Sequence, residues 1–218
     1  PVLQERATTQ MVARLRAQHG IPAHARVVLY TGNFSSYQGI DLLLEAFMHA
    51  AAGDASLMLV CVGASGPEQV EALQSRLPAA LLSRVRLLPR QPRALMPAWF
   101  EIAGCLVSLR TLGDNIPLKV FEYMAAHRPI VATRGAAHEP ILNDQRAFLC
   151  AAYADDVART IHAVFADPAH ARRIAEAAAE HARRNFSWSR FRQLVAGVYG
   201  RVLQSEMAVA NRCAVRQN

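Results

Sequence analysis

One feature constrains this 218-residue chain more than any other. Short, mainly apolar runs recur along it, each followed by a loop and then by a segment with helical spacing. The runs lie at 26–31 (RVVLYT), 57–63 (LMLVCVG), 85–89 (VRLLP), 105–109 (CLVSL) and 129–133 (PIVAT), with 147–150 (AFLC) as a sixth. A strand with one wet face alternates apolar and polar residues. Strands without that alternation are buried on both faces, which implies a parallel sheet with helices on either side. Right-handed crossovers then give a doubly wound, Rossmann-like α/β fold. Helices are expected at 3–18, from Ile40, from Pro67, and at 93–103, 117–126, 154–166, 168–184 and 188–204.

The composition agrees, because 52% hydrophobic and 19% charged residues suffice for a core and exclude a disordered chain. No apolar run is long enough to span a membrane, and no N-terminal stretch has the layout of a signal peptide. Of Cys61, Cys105, Cys150 and Cys213, three sit in apolar stretches, the setting of reduced buried thiols, so a cytoplasmic location is expected. There is no Cys-x-x-Cys pair, and His162, His170 and His181 have no partners at ligand spacing, so no metal is expected.

The net charge of +7 calls for an anionic partner. No basic motif interleaved with aromatics is present, which argues against nucleic acid. Arg172, Arg173, Arg183, Arg184, Arg190 and Arg192 read as a solvated helix face, or as a surface for peripheral contact with an acidic inner membrane face. Ile174, Ala178 and Ala182 form the opposing stripe. Lys119 is the one lysine among 24 basic residues.

Ligands of such sheets bind beyond the carboxyl ends of the strands, here the loops 32–39, 63–67, 89–93, 110–117 and 133–139. In the first, Gly32 and Gly39 frame Asn33-Phe34-Ser35-Ser36-Tyr37-Gln38. Such a turn either receives an anion on its backbone N–H groups or only permits a tight bend. The loop from Arg110 leads into a helix that Asp114 or Asn115 is expected to cap, with Pro117 in its first turn. Leu118, Phe121 and Ala125 form the expected apolar stripe, with Glu122 at its edge. A cation in the first turn opposes the helix dipole unless an anion lies nearby. Lys119 therefore either meets an anionic ligand or pairs with Glu122.

The segments Tyr30-Thr31-Gly32, Tyr37-Gln38-Gly39-Ile40-Asp41, Pro117-Leu118-Lys119-Val120-Phe121-Glu122-Tyr123-Met124-Ala125, Arg128-Pro129-Ile130-Val131-Ala132-Thr133, Phe186-Ser187-Trp188 and Val198-Tyr199 carry a resemblance. Together they resemble the C-terminal domain of family-four retaining glycosyltransferases with the GT-B fold, over about residues 12–204.

The resemblance implies the donor-binding half of a two-domain enzyme, with an N-terminal acceptor-binding domain missing from this chain. Residues 1–24 would be the interdomain connection and leading helix, 25–204 the nucleotide-sugar-binding domain, and 205–218 a tail. Glu122 would hold the ribose hydroxyls. Asp114, at the family's first acidic position, would contact the donor sugar, and the backbone N–H groups of Asn115, Ile116 and Leu118 the phosphates and sugar. Asn33 and Gln38 stand where the family has an arginine and a lysine on the diphosphate. Arg110 and Lys119 are expected to take over that charge. His127 occupies a family glycine, where positive φ would strain it. His138-Glu139 resembles an acidic position near the donor, although Glu139 also suits the cap of a following helix.

The implied function is retaining transfer of a hexosyl group from a nucleotide-diphosphate sugar to a glycan or lipid-linked acceptor, in polysaccharide biosynthesis, without cofactor or metal. The isolated chain is expected to be inactive. The alternatives are a non-catalytic nucleotide-binding or assembly module with a decayed donor site, and a related GT-B epimerase or phosphorylase. The absence of a cofactor-lysine signature disfavours the phosphorylase.

Overall fold

In the computed structural model, which describes residues 7–215, six parallel strands form one sheet in the order β3-β2-β1-β4-β5-β6. The strands are β1 (Arg26–Thr31), β2 (Leu57–Ala64), β3 (Val85–Pro89), β4 (Cys105–Ser108), β5 (Ile130–Thr133) and β6 (Phe148–Cys150). The helices are α1 (Thr9–Gln18), α2 (Ile40–Gly53), α3 (Pro67–Gln74), α4 (Met96–Ile102), α5 (Leu118–Ala125), α6 (Ala154–Ala166), α7 (Pro168–Asn185) and α8 (Trp188–Val215). The expected doubly wound α/β architecture is thus the observed one. Strand order reverses between β1 and β4, the place in such sheets beyond which ligands generally bind.

The absence of alternation in the strands has the expected consequence. Val28 and Tyr30 of β1 point into a core shared with Leu43 and Phe47 of α2 and Val157 and Ile161 of α6. Val27 and Leu29 point the other way, into a core with Trp99 of α4, Val120, Tyr123 and Met124 of α5, and Ala178 and Ala182 of α7. Both faces are dry. Cys61, Cys105 and Cys150 are buried free thiols, as their apolar surroundings suggest. Ile174, Ala178 and Ala182 are buried on α7 while Arg172, Arg173, Arg183 and Arg184 face outward, the last two paired with Glu180. Among the described residues, no helix is long and apolar enough to cross a membrane.

Several boundaries differ from expectation. Helix α1 begins at Thr9, where the Thr8 hydroxyl accepts from Met11 N at 3.2 Å, and not at residue 3. Residues 1–6 lie outside the described part. Leu15 packs α1 into the second core. Helix α8 continues past 204 into the expected tail, to Val215.

On α5, neither Asp114 nor Asn115 caps the helix. Pro117 is the cap residue, without a side-chain hydrogen bond. The buried stripe is Val120, Tyr123 and Met124, one position off the expected Leu118, Phe121 and Ala125, and Leu118 is 82% exposed. The Tyr123 hydroxyl, accepting from Thr31 N, fixes which face α5 turns to the sheet. No helix begins at Glu139. The segment is a series of turns, in which the Glu139 carboxylate accepts from Gly135 N at 3.1 Å.

Candidate functional site

The loops after β1 and β4 are held face to face by the backbone. Thr111 N donates to Tyr37 O at 3.2 Å. Gly39 adopts φ +77°, and a Cβ there would stand 1.9 Å from the carbonyl oxygen of Leu109. Only glycine meets both demands. Helix α5 is tied to the same place from below, because the Tyr123 hydroxyl accepts from Thr31 N at 2.8 Å at the end of β1. Thr133, ending β5, donates its hydroxyl to Arg110 O at 2.9 Å. Four elements therefore fix the geometry of one mouth.

Lys119 rises into that mouth. Its Nζ donates to Gln38 Oε1 at 3.2 Å and lies 3.9 Å from the centroid of the Tyr30 ring. It also stands 3.3 Å from where a Cβ on Gly32 would be. The expected alternative, a pair with Glu122, is not formed. Glu122 is bound instead by Arg93 at 3.1 Å, and no carboxylate lies within ion-pair distance of Lys119 among the described residues. Burial first, and the nearby Arg110 guanidinium in addition, push the Lys119 pKa down to about 7.

Arg110 lies over the Tyr37 ring at 5.2 Å, with Nε donating to Leu112 O at 2.8 Å. Asn33 closes its own turn, its Oδ1 accepting from Ser35 N at 3.3 Å and its carbonyl accepting from the Tyr30 hydroxyl at 2.5 Å. Asp114 and Asn115 are exposed in the loop before α5, and Ile116 is half-buried against the second core. Gly32, Gln38, Gly39, Arg110 and Lys119 are thus gathered at the mouth, while Glu122 stands one helical turn further on with Arg93.

His138 does not face the mouth. It is fully buried, with Nδ1 donating to Thr133 O at 2.8 Å and Nε2 accepting from Ser108 Oγ at 2.9 Å. Burial holds its pKa down at about 4, so it is a neutral strut between β4 and β5. His127 has φ +54°, so the turn does demand the conformation that disfavours a side chain. Among the described residues no group of three His, Cys, Asp or Glu side chains is placed to hold a metal ion.

Three participants were not singled out in the sequence. Tyr30 and Tyr37 supply ring faces under the two cations, and Arg93 engages Glu122. Arg93 does fall in the loop after β3, a candidate region by position alone.

A family model described as "Glycosyl transferases group 1" matches residues 11–181. D-inositol 3-phosphate glycosyltransferase of Corynebacterium aurimucosum is 27% identical over 209 residues, 92% of this chain and 49% of that protein. The enzyme of the same name from Streptomyces bingchenggensis is 28% identical over 204 residues, 88% of this chain and 44% of that protein. The chain thus spans about half the length of the curated relatives it matches.

Among solved structures, Anabaena Alr3699/HepE in complex with UDP-glucose superposes with a TM-score of 0.77 at 19% identity, over 89% of this chain and 54% of that one. The C-terminal domain of a glycosyl transferase group 1 family protein (LpcC) from Francisella tularensis gives a TM-score of 0.69 at 15% identity, over 86% of this chain and 95% of that one. These structural likenesses show a common fold.

Proposed function

Because this chain belongs to the group 1 glycosyl transferases, we propose that it is the donor-binding half of a retaining glycosyltransferase, taking a nucleotide-diphosphate sugar. The acceptor, a glycan or a lipid-linked sugar, would be bound mainly by an upstream domain. Residues 25–204 would form the donor domain and 1–24 the connection to that upstream half. What supports the reading is Lys119. A lysine ammonium at the strand-order reversal, cradled by an amide and a ring and, among the described residues, unneutralised by a carboxylate, is suited to receive an anion.

Lys119, Arg110 and the uncapped N–H groups at the start of α5 would take the diphosphate. Asp114 and the backbone of 115–118 would lie along the sugar, and Glu122 would accept the ribose hydroxyls through the carboxylate oxygen that Arg93 leaves free. Chemically, such a site stabilises charge that accumulates on the departing diphosphate while the anomeric carbon becomes electron-poor. Lys119 and Arg110 supply this positive charge in the reading, which therefore assigns no role to a metal. The outward arginines of α7 would suit an acidic membrane carrying a lipid-linked acceptor.

The first loop itself contains no cation, which favours a second reading: a nucleotide-binding or assembly module without turnover. Calorimetric titration with UDP, GDP and their nucleosides, beside a transfer assay, tests both. We expect weak diphosphate binding and no transfer by this chain alone. Robust transfer by it would overturn the half-enzyme reading, and absence of any nucleotide binding would favour the assembly module.

A further inference from the structure

The donor-site reading leaves open why Lys119 is held as it is, and the inference below rests on that reading. A lysine on a surface helix ordinarily turns its ammonium to water or to a carboxylate. Here the stem runs inward, and the ammonium is fixed by two neutral groups from β1 and its loop, the Gln38 carbonyl oxygen and the Tyr30 ring face. Such partners stabilise a cation without cancelling its charge. A carboxylate in either place would hold the ammonium as firmly but leave no net charge for a ligand. The nearest candidate on α5, Glu122, is engaged by Arg93. The close approach of Gly32 keeps the space beside Nζ clear of a side chain.

We propose that Gln38 and Tyr30 are positioning residues for Lys119, delivering from α5 a cation that the β1 loop itself lacks and presenting it un-neutralised to a phosphate. Gln38 on this view touches the lysine and need not touch the donor. The other titratable groups acting on the ammonium are Arg110 after β4, Cys61 of β2 and His138 between β5 and β6. Burial pushes the Cys61 thiol up, so it supplies no counter-charge near neutral pH, and His138 is held neutral, so it adds no further positive charge.

The test is calorimetric titration of the whole chain with UDP and GDP, with uridine and guanosine as phosphate-free controls. For the diphosphate that binds the parent, Gln38→Leu should weaken affinity about tenfold, the scale of one hydrogen bond to a charged group, and leave the nucleoside unchanged. Gln38→Glu should weaken it at least as much. It should also move the alkaline loss of affinity, measured above the last phosphate ionisation near pH 6, to higher pH, since a carboxylate holds the proton on Lys119. A lesion that merely disturbed the loop would not shift that limb. The exchange Gln38→Lys with Lys119→Gln should recover part of the affinity lost in Lys119→Gln alone.

If Lys119→Gln weakens diphosphate binding while both Gln38 variants bind like the parent, the positioning role is overturned and the donor reading stands. If Lys119→Gln has no effect, or the parent binds neither diphosphate, the donor reading of this lysine fails and the inference fails with it.

Discussion

The ammonium of Lys119 stands 3.9 Å from the centroid of the Tyr30 ring, although 89 residues separate the two in the chain (119 minus 30). The contact joins the first turn of α5 to the last residue but one of β1, across the place where strand order reverses. A cation at a helix N-terminus opposes the dipole by roughly 0.3–1 kcal/mol, so its retention there is costly unless an anion arrives.

Lys119→Met should therefore separate stability from binding. Between pH 7 and 10.5 the unfolded chain holds more protons on this lysine than the folded one, so stability rises with pH over that window. Below pH 7 the folded protein carries the desolvated charge. The variant should melt higher at neutral pH by more than about 1 kcal/mol, lose the alkaline slope, and bind diphosphate more weakly by about 1.5–3 kcal/mol. Thermal melts across pH with parallel titrations check this. A lower melting point with unchanged affinity would return Lys119 to a purely structural role.

Glu122→Ala should weaken binding with little change in stability. Its pair with Arg93 is partly exposed and contributes less than about 1 kcal/mol to folding. Loss of charge-assisted hydrogen bonds to a ribose diol should cost about 1.5–3 kcal/mol of nucleotide affinity. Titration with the deoxyribose analogue should show the loss already present in the parent. A sharp fall in melting temperature with affinity retained would mark Glu122 as structural.

His138 should make the fold acid-sensitive. Its folded pKa of about 4 lies below the ordinary 6.5, so its contribution is complete above 6.5 and is lost as pH falls toward 4. The difference corresponds to about 3 kcal/mol. Denaturant titrations at pH 7 and 4.5 should diverge in the parent and diverge less in His138→Gln.

Two backbone positions should respond in opposite directions. His127→Gly relieves a left-handed conformation costing about 1–2 kcal/mol and returns about 0.4–1 kcal/mol in unfolded-state freedom, for a small net gain in stability. Gly39→Ala forces a Cβ onto the Leu109 carbonyl and should cost about 3 kcal/mol or more. Chemical denaturation of both variants gives the comparison.

The sequence alone determined the layering of the molecule. Strand runs such as RVVLYT and LMLVCVG carry their burial in their composition, and the helical spacing between them is a local property, so a doubly wound sheet was legible without coordinates. The glycine pair around Asn33–Gln38 and the presence of a lone lysine were visible for the same reason. Tertiary structure decided which side chains meet. Gln38 and Lys119 are 81 residues apart and Arg93 and Glu122 are 29 apart, and no spacing rule connects such positions. A Lys119–Glu122 pair was one of two readings open to the sequence, because residues three apart on a helix are neighbours, but the packing of α5 against β1 turned the two side chains to different partners. His138 sits at the end of a ligand-side loop, and only the depth of that loop, with Ser108 and Thr133 beneath it, made it a buried strut.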